Sequence, residues 1–233
     1  MQTLEDLVAA YRILAAHGVI DAYGHVSLRS PHNPQRYYVA RSLAPELVTE
    51  ADLIEYDLDS RPLDGGARES VRERFIHGEI FRTRPEVTAV VHNHSPSVVP
   101  FSVTGVPMRA IFHMAAFVGD GLPNFEIRDV KPGSDLLVKD AFLGKALAGT
   151  LGAKPAALMR GHGAVVVGEN LPRAVGRSVY LELSARLQMQ AMALAGPGGR
   201  ITYLDEAEVK ASDPVQNYAR AWPMWRAKAL GEL

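Results

Sequence analysis

Residues 89–96 read Ala-Val-Val-His-Asn-His-Ser-Pro, an apolar run that ends in two histidines separated by one residue. Together with the two residues before it, Val87 and Thr88, this run offers little polar surface. It therefore predicts a buried and central strand. Side chains alternate along a strand, so His92 and His94 point to one face, with Cα atoms roughly 6.5 Å apart. Such a pair suits two ligands of one ion, but two histidines also simply end a strand in many proteins.

A third ligand must come from another part of the chain, and His162 is the best candidate. It lies between two glycines in AALMRGHGAVVVG, residues 156–168, which predicts two strands around a turn. The glycines let the backbone approach closely, so that the turn presents the imidazole outward. A Gly-His-Gly sequence by itself is more typical of an ordinary turn than of a metal ligand.

Glu73 is a candidate for the fourth group. It precedes the His-x-His strand on a helix predicted over residues 69–85, on a stripe with His77. A glutamate on such a face is either paired with a neighbouring arginine or directed at a cation. Three neutral imidazoles and a carboxylate suit Zn²⁺, or Mn²⁺ with water in further positions.

Composition limits the class of protein. The 233 residues are 47% hydrophobic and 22% charged, with a net charge of −1 and no cysteine. The charge gives no reason to expect nucleic acid or an anionic membrane surface as a partner, and no apolar run approaches the roughly 18 residues of a membrane span. The absence of cysteine excludes disulfides and thiolate chemistry. The first residues are amphipathic and acidic, unlike a signal peptide, so we expect a cytoplasmic protein.

The remaining pattern predicts one α/β domain over residues 1–233, with a central, partly antiparallel sheet flanked by helices. Further helices are predicted from residue 4 to a stop at Gly18, after Thr49, and over residues 95–104, 135–150 and 171–195. Further strands are predicted over residues 24–30, 37–42, 54–57 and 108–113, with a loop over residues 119–134. Trp222 and Trp225 form a helical stripe that we expect to contact the core or an interface.

Four stretches resemble the class II aldolase/adducin family: GHVSLR (24–29), RERFIHGEIFRTRPEV (72–87), AVVHNHSP (89–96) and MRGHGAVVVG (159–168). The resemblance implies a three-layer α/β/α fold around a mixed or antiparallel sheet. It implies His92, His94 and His162 as metal ligands, with Glu73 as acid/base residue and possible fourth ligand. It also implies a homotetramer with active sites at subunit interfaces.

Two further stretches, SLRSP (27–31) and ARSLAPELVTEADL (40–53), resemble the family branch that decarboxylates hydroxylated aromatic or ring-opened dicarboxylates. This implies a metal-dependent carbon–carbon lyase that acts on a small acid with a hydroxyl ortho to the departing carboxylate. The metal would stabilise the enolate that forms as carbon dioxide leaves. Where the family's aldolases have a tyrosine as proton donor, this chain has His113, so Glu73 and His113 are the candidate proton donors.

The predicted substrate-binding residues are His25, Ser27, Arg29, Arg41, Ser42, Arg72 and Tyr218. Arginine suits a planar carboxylate, and Tyr218 would reach a neighbouring site. The opposing interpretations are that His25 is a turn residue, that at least one of the three arginines is structural, and that His77 packs rather than ligates.

Three alternatives to a decarboxylase remain open. The first is an aldolase that cleaves a non-phosphorylated hydroxy-keto acid with the same metal ligands. The second is an adducin-like interaction domain without catalysis. The third, a phosphate-binding epimerase, is weakened because His25, Val71 and Arg72 stand where the family's phosphate-binding members have Asn and paired Ser.

Overall fold

The histidine-ended run forms the middle strand of a seven-stranded sheet in the computed structural model, which describes residues 2–212 and 218–233. The strands are β1 (His25–Arg29), β2 (Arg36–Ala40), β3 (Leu53–Asp57), β4 (Ala89–Asn93), β5 (Asn124–Phe125), β6 (Ala156–Met159) and β7 (Gly163–Gly168). Their order is β3-β2-β1-β4-β7-β6-β5, and every neighbouring pair is antiparallel except the parallel pair of β5 and β6. The predicted mixed sheet with β4 at its centre is therefore confirmed.

Helices cover both faces of this sheet. They are α1 (Leu4–Ala16), α2 (Arg74–Thr83), α3 (Val99–Thr104), α4 (Ala141–Leu151), α5 (Leu171–Ala195), α6 (Glu206–Ser212) and α7 (Ala221–Leu230). Val91 and its neighbours on one face pack with α1 and α5, whereas Val90 on the other face packs with α2 and α4. Alternate residues of a buried strand thus enter two separate cores, which gives the predicted three-layer α/β/α arrangement. The expectation of one domain over residues 1–233 stays a prediction.

Local capping explains where the main helices begin. Thr3 and Asp6 form a capping box at α1, as the sequence predicts. Asp140 caps α4 and Asn170 caps α5, each by accepting a hydrogen bond from a backbone N–H in the first turn. The helix α5 has the predicted limits, but α4 begins six residues later than predicted. The residues from 135 to 140 instead lead into the cap.

The helix predicted over residues 69–85 is shorter at its beginning, because α2 starts only at Arg74. Residues 69 and 70 lie beside the chain at residues 41 and 42: the N–H of Ser42 donates to the carbonyl of Glu69, and Arg41 forms a β-bridge with Ser70. This pairing holds the segment extended, so Glu73 stands at the N-cap position of α2 rather than within the helix. The prediction that Glu73 lies within the helix is therefore wrong by one residue, whereas His77 lies in α2 as predicted.

The strand predicted over residues 108–113 was also wrong. Residues 105–111 have no regular secondary structure, and a 3₁₀ helix follows at His113–Val118. The backbone here is satisfied outside the sheet, since the side chain of Gln188 accepts from the N–H of Arg109 and donates to the carbonyl of Pro107. The loop predicted over residues 119–134 contains the short edge strand β5 and a 3₁₀ helix at Ile127–Asp129.

The C-terminal helix α7 packs against α1, and Trp222 and Trp225 contact the core that α1 and α5 share. Trp225 also contacts the rings of His17 and Tyr180. Within the described residues, every helix is too short or too polar to cross a membrane. The tryptophan stripe is thus a packing element, as expected.

Gly163 offers a direct test of the β4–β7 pairing. A Cβ at this position would lie 1.9 Å from the carbonyl oxygen of Asn93 and 3.0 Å from the Cα of His94. We expect Gly163→Ala to lower the free energy of unfolding by at least about 2 kcal/mol, because the two strands must separate. Urea unfolding measures this change. The control is Gly149→Ala in α4, where the added methyl meets nothing within 4 Å and should stabilise by about 0.5–1 kcal/mol. Unchanged stability in Gly163→Ala would contradict the pairing.

Candidate metal centre

Sheet topology brings the four predicted ligands together. Asn93 of β4 lies opposite Ala164 of β7, so the end of β4 meets the turn that precedes β7. His92 and His94 come from β4 and its end, and His162 comes from that turn. The turn has the expected backbone, because Gly161 adopts a φ of +65° that favours glycine. Glu73 joins them from the N-terminus of α2, which lies on the same face of the sheet.

The donor atoms of this cluster are close enough to share one ion. One ligand atom from each of Glu73, His92, His94 and His162 lies within 4.8 Å of all the others. Nε2 of His162 is 3.1 Å from Nε2 of His94, and both His92 Nε2 and His162 Nε2 are 3.5 Å from Oε2 of Glu73. Two nitrogens bound at the Zn–N distance in a tetrahedral arrangement lie roughly 3.3 Å apart. The observed spacing therefore fits a set of ligands that could share one ion.

His92 supplies the strongest observation that these residues fit a cation. Its side chain is 0% exposed, and neither of its ring nitrogens has a hydrogen-bond partner among the described residues. A buried polar atom normally has a partner, since leaving it unsatisfied is costly. An ion held between His92, His94, His162 and Glu73 would satisfy the nitrogen that faces the cluster.

Two groups behind the cluster orient its imidazoles. Both carboxylate oxygens of Asp21 lie near Nδ1 of His94, at 3.0 and 3.1 Å. Nδ1 of His162 is 3.1 Å from the carbonyl oxygen of Leu136 and donates to it. In each ring the outer nitrogen is therefore held by a fixed acceptor, which directs Nε2 into the cluster. Metal-binding histidines are usually held in this way.

Glu73 is fixed as a carboxylate. Its Oε1 accepts a hydrogen bond of 2.8 Å from the N–H of Val138, which leaves Oε2 directed at His92 and His162. Burial favours a raised pKa of Glu73, but the two imidazoles outweigh burial and hold that pKa well below its usual value. Burial likewise favours a low pKa of His162, but Glu73 outweighs it and raises the pKa. The cluster therefore contains an anionic ligand at neutral pH.

A pocket of about 700 Å³ opens onto this cluster, and Glu73, His94 and His162 are part of its wall. That volume lies within the usual range for small-molecule sites. The backbone around residues 22–24 and 135–137 forms other parts of the wall. The cluster is thus accessible to a small ligand from one side.

Four of the predicted substrate-binding residues line this pocket: His25, Arg41, Ser42 and Arg72. Nε of Arg41 donates to Asp52 at 2.7 Å, and no other hydrogen bond of its guanidinium is found among the described residues. Arg72 is exposed and makes no hydrogen bond or ion pair within the described part of the chain. The pocket therefore combines a cluster that could hold a cation with an arginine available to an anionic ligand.

Arg29 and Ser27 do not reach the pocket wall. The guanidinium of Arg29 is buried and donates to the backbone carbonyls of Phe81, Arg84 and Val87 at 2.8–3.0 Å. These bonds tie β1 to the C-terminal end of α2, where a cation is favoured. Arg29 is therefore structural, which corrects its prediction as a substrate ligand. Ser27 is also buried, and its hydroxyl contacts His77 instead of the pocket.

Tyr218 is turned into its own chain. It is 5% exposed, stacks on the ring of Tyr180 and donates from its hydroxyl to the carbonyl of Met114 at 3.0 Å. A Cβ on Gly176 of α5 would overlap the Tyr218 ring, so the two residues are packed closely. Within the described residues Tyr218 is therefore held by its own chain, and its contact with a neighbouring site stays a prediction.

His113 is exposed at the start of the 3₁₀ helix His113–Val118 and is absent from the wall of this pocket. Its ring contacts Phe112 at a centroid distance of 5.1 Å. Within one chain, His113 does not meet Glu73.

Asp21 and His77 are the neighbouring residues whose roles the sequence did not reveal. Asp21 accepts from the N–H groups of Tyr23 and Gly24, as an aspartate commonly does in a turn before glycine. This turn pattern gives no indication that Asp21 also contacts His94. His77 lies on α2 with Nε2 2.6 Å from Nδ1 of His25, whereas the helical stripe indicated only that it faces inward.

Comparison with known proteins shows which family the chain belongs to. Residues 5–189 match the model of the Class II Aldolase and Adducin N-terminal domain. Decarboxylase tropJ from Talaromyces stipitatus is 35% identical over 246 residues, covering 95% of this chain and 92% of that protein. A 3,4-dihydroxyphthalate decarboxylase from Arthrobacter keyseri is 30% identical, with 94% and 90% covered.

Among solved structures, the L-fuculose 1-phosphate aldolase from Glaciozyma antarctica superposes with a TM-score of 0.80 at 26% identity. The superposition covers 98% of this chain and 90% of that one. These relatives are decarboxylases and an aldolase, and the match extends along nearly the whole length of each. The chain is therefore an enzyme of the lyase class and not an interaction domain without catalysis. It belongs to the class II aldolase/adducin family, in the decarboxylase-like branch.

Proposed function

We propose that the chain is a metal-dependent decarboxylase of a small aromatic or ring-opened dicarboxylate with a hydroxyl ortho to the departing carboxylate. His92, His94 and His162 hold a Zn²⁺ or Mn²⁺ ion, with Glu73 as fourth ligand or acid/base residue. The observation that carries the proposal is the open His₃Glu cluster beside the unpaired Arg72. Whole-length similarity to decarboxylases, including one named for dihydroxyphthalate, supports the choice of reaction.

The chemistry that a bound divalent ion supplies is Lewis-acid stabilisation of negative charge on substrate oxygens. The protein's own residues bind and orient the acid. Arg72 and Ser42, at the pocket wall, receive the carboxylate that is not lost, and Arg41 adds positive charge while Asp52 fixes its position. A planar guanidinium matches a carboxylate with two parallel hydrogen bonds. The departing carboxylate and the ortho oxygen then face the His₃Glu cluster.

Proton balance assigns a role to Glu73. The substrate's ortho hydroxyl loses its proton to Oε2 of Glu73 on binding. Glu73 then gives this proton to the ring carbon that bears the carboxylate, which becomes tetrahedral while the ortho oxygen becomes a carbonyl oxygen. The carbon–carboxylate bond breaks, carbon dioxide leaves, and the electron pair enters the ring and restores negative charge on the ortho oxygen. The N–H of Val138 holds the other carboxylate oxygen throughout, so that Oε2 keeps its position.

His113 serves as proton donor only if a second copy of the chain supplies it, because it does not reach the pocket of its own chain. A homotetramer with active sites between subunits provides this arrangement, and we include that assembly and a cytoplasmic location in the proposal. The substrate is a small acid, and neither nucleic acid nor a membrane takes part.

The second candidate is an aldolase that cleaves a non-phosphorylated hydroxy-keto acid. The close superposition on an L-fuculose 1-phosphate aldolase favours it. The same four residues would serve, since breaking a carbon–carbon bond beside a carbonyl also leaves an electron pair to be stabilised on oxygen. Val71 and Arg72 at the pocket wall, where the phosphate-binding members have serines, count against a phosphorylated substrate.

Metal content tests the ligand set. We expect the purified protein to bind about one Zn²⁺ or Mn²⁺ per chain, and His92→Ala to lower the affinity at least about 100-fold, because a buried ligand is lost. Elemental analysis and calorimetric titration measure both quantities. His32→Ala, at an exposed histidine outside the cluster, is the control and should bind as the wild type does. Wild-type protein that binds no divalent ion would contradict the ligand set.

Asp21→Asn tests the orientation of His94. Asparagine keeps an oxygen for the turn N–H groups but removes the charge that holds Nδ1. We expect metal affinity to fall about 10- to 100-fold with little change in stability. Competition with a chromogenic chelator measures the affinity, and Asp120→Asn, at an exposed carboxylate, is the matched control. An affinity equal to that of the wild type would show that Asp21 serves only the turn.

Carbon dioxide release tests the reaction. Metal-loaded protein is offered a panel of ortho-hydroxy aromatic dicarboxylates, and we expect release that disappears in His92→Ala and persists in His32→Ala. If the metal-loaded wild type releases no carbon dioxide from this panel but releases an aldehyde from a hydroxy-keto acid, the aldolase replaces the decarboxylase.

A further inference from the structure

A hydrogen-bonded chain of three buried side chains, called the file below, leads from the sheet to the pocket. It runs from Ser27 through His77 to His25. Oγ of Ser27 is 2.6 Å from Nδ1 of His77, and Nε2 of His77 is 2.6 Å from Nδ1 of His25. Ser27 and His25 lie on the same face of β1, two residues apart, and His77 faces them from α2. Each inner ring nitrogen is therefore engaged by its neighbour in the file.

The outer end of this file is the pocket. His25 borders the cavity, and no described residue hydrogen-bonds its remaining nitrogen, Nε2. The opposite end is closed, because Ser27 is 0% exposed. The ring of His25 also lies against that of His92, with centroids 4.9 Å apart. Nε2 of His25 is therefore offered to a ligand that occupies the space beside the metal-binding cluster.

Burial keeps both imidazoles uncharged. His25 is 3% exposed and His77 is 0% exposed, and burial disfavours a charged imidazole. Their facing nitrogens are 2.6 Å apart, so only one proton fits between them. Each ring then carries one N–H, and the hydroxyl carries one O–H. The file has three protons to distribute among its hydrogen bonds and the pocket.

The need of each buried polar group for a hydrogen-bond partner determines which group donates and which accepts in the file. The only partner of the Ser27 hydroxyl among the described residues is Nδ1 of His77. If that nitrogen carried the proton, the buried hydroxyl of Ser27 would have no acceptor, which is costly. Ser27 therefore donates to Nδ1 of His77, and Nε2–H of His77 donates to Nδ1 of His25. The remaining proton lies on Nε2 of His25 and points at the pocket.

We propose that His25 is a substrate-binding residue that presents Nε2–H as a fixed, neutral donor to an anionic oxygen, and that His77 and Ser27 are positioning residues that hold this tautomer. The ligand class, a carboxylate or phenolate oxygen, rests on the proposed function. A neutral donor suits this place, because a second cation beside His92 would repel the ion that the cluster holds. No group in the file changes its protonation state.

Nitrogen-15 NMR of histidine-labelled, chelator-treated protein tests the file without substrate or catalysis. We expect His25 to be protonated at Nε2 and unprotonated at Nδ1, and His77 likewise, with signals assigned through His25→Asn and His77→Asn. Ser27→Ala removes the terminal donor and should populate the Nδ1–H tautomer in both rings, whereas Ser27→Thr should retain the wild-type tautomers. A wild-type His25 protonated at Nδ1, or tautomers unchanged in Ser27→Ala, would overturn the proposal.

Salicylate, an ortho-hydroxy carboxylate, tests the ligand. We expect Ser27→Ala to weaken salicylate binding to Zn²⁺-loaded protein by about 3- to 10-fold, because a preset donor is lost, and Ser27→Thr to restore it. Equal affinity in wild type and Ser27→Ala would overturn the contact with an anionic oxygen. Weakened binding together with an absence of carbon dioxide release would leave this contact intact and count only against the decarboxylase, so the two failures are distinguishable.

Discussion

The antiparallel pairing of β4 with β7 is the constraint on which the site depends. It places Asn93 opposite Ala164, so the end of the histidine strand meets the Gly-His-Gly turn. A shift of this register by one residue would turn His92 and His94 to the opposite face, away from Glu73. Gly163 permits the close approach, because its missing side chain makes room for the carbonyl of Asn93. The backbone thus brings the four candidate ligands together without an ion.

The cluster also explains why polar groups are buried at the centre of the sheet. His92 is fully buried without a hydrogen-bond partner, and Glu73 is buried beside three imidazoles. Such an arrangement costs stability unless a cation compensates it. Metal binding would therefore stabilise the fold as well as equip the site. Outside the cluster, Asp21 holds the ring of His94 in place and the carbonyl of Leu136 holds the ring of His162.

Local patterns were sufficient to predict much of the molecule. An apolar run predicts the central strand, alternation predicts the shared face of His92 and His94, and glycines predict the turn at His162. The sequence did not predict features that depend on contacts between residues far apart in the chain. The bridge between Arg41 and Ser70 delays α2, and Gln188 binds the backbone of residues 107–109 in place of a strand neighbour. Arginine is a residue type that binds substrate carboxylates, but the guanidinium of Arg29 donates its hydrogen bonds to backbone carbonyls at the end of α2. Asp21 has the sequence context of an ordinary turn, but its carboxylate also contacts Nδ1 of His94.

The central claim is that four residues from three separate parts of the chain hold one ion at the end of β4. Diffraction data from crystals grown with Zn²⁺, collected on both sides of the zinc absorption edge, test it most directly. The geometry predicts one anomalous peak per chain, within bonding distance of Nε2 of His92, His94 and His162 and beside Oε2 of Glu73. No peak there, or a peak at a site that involves none of these residues, would contradict it.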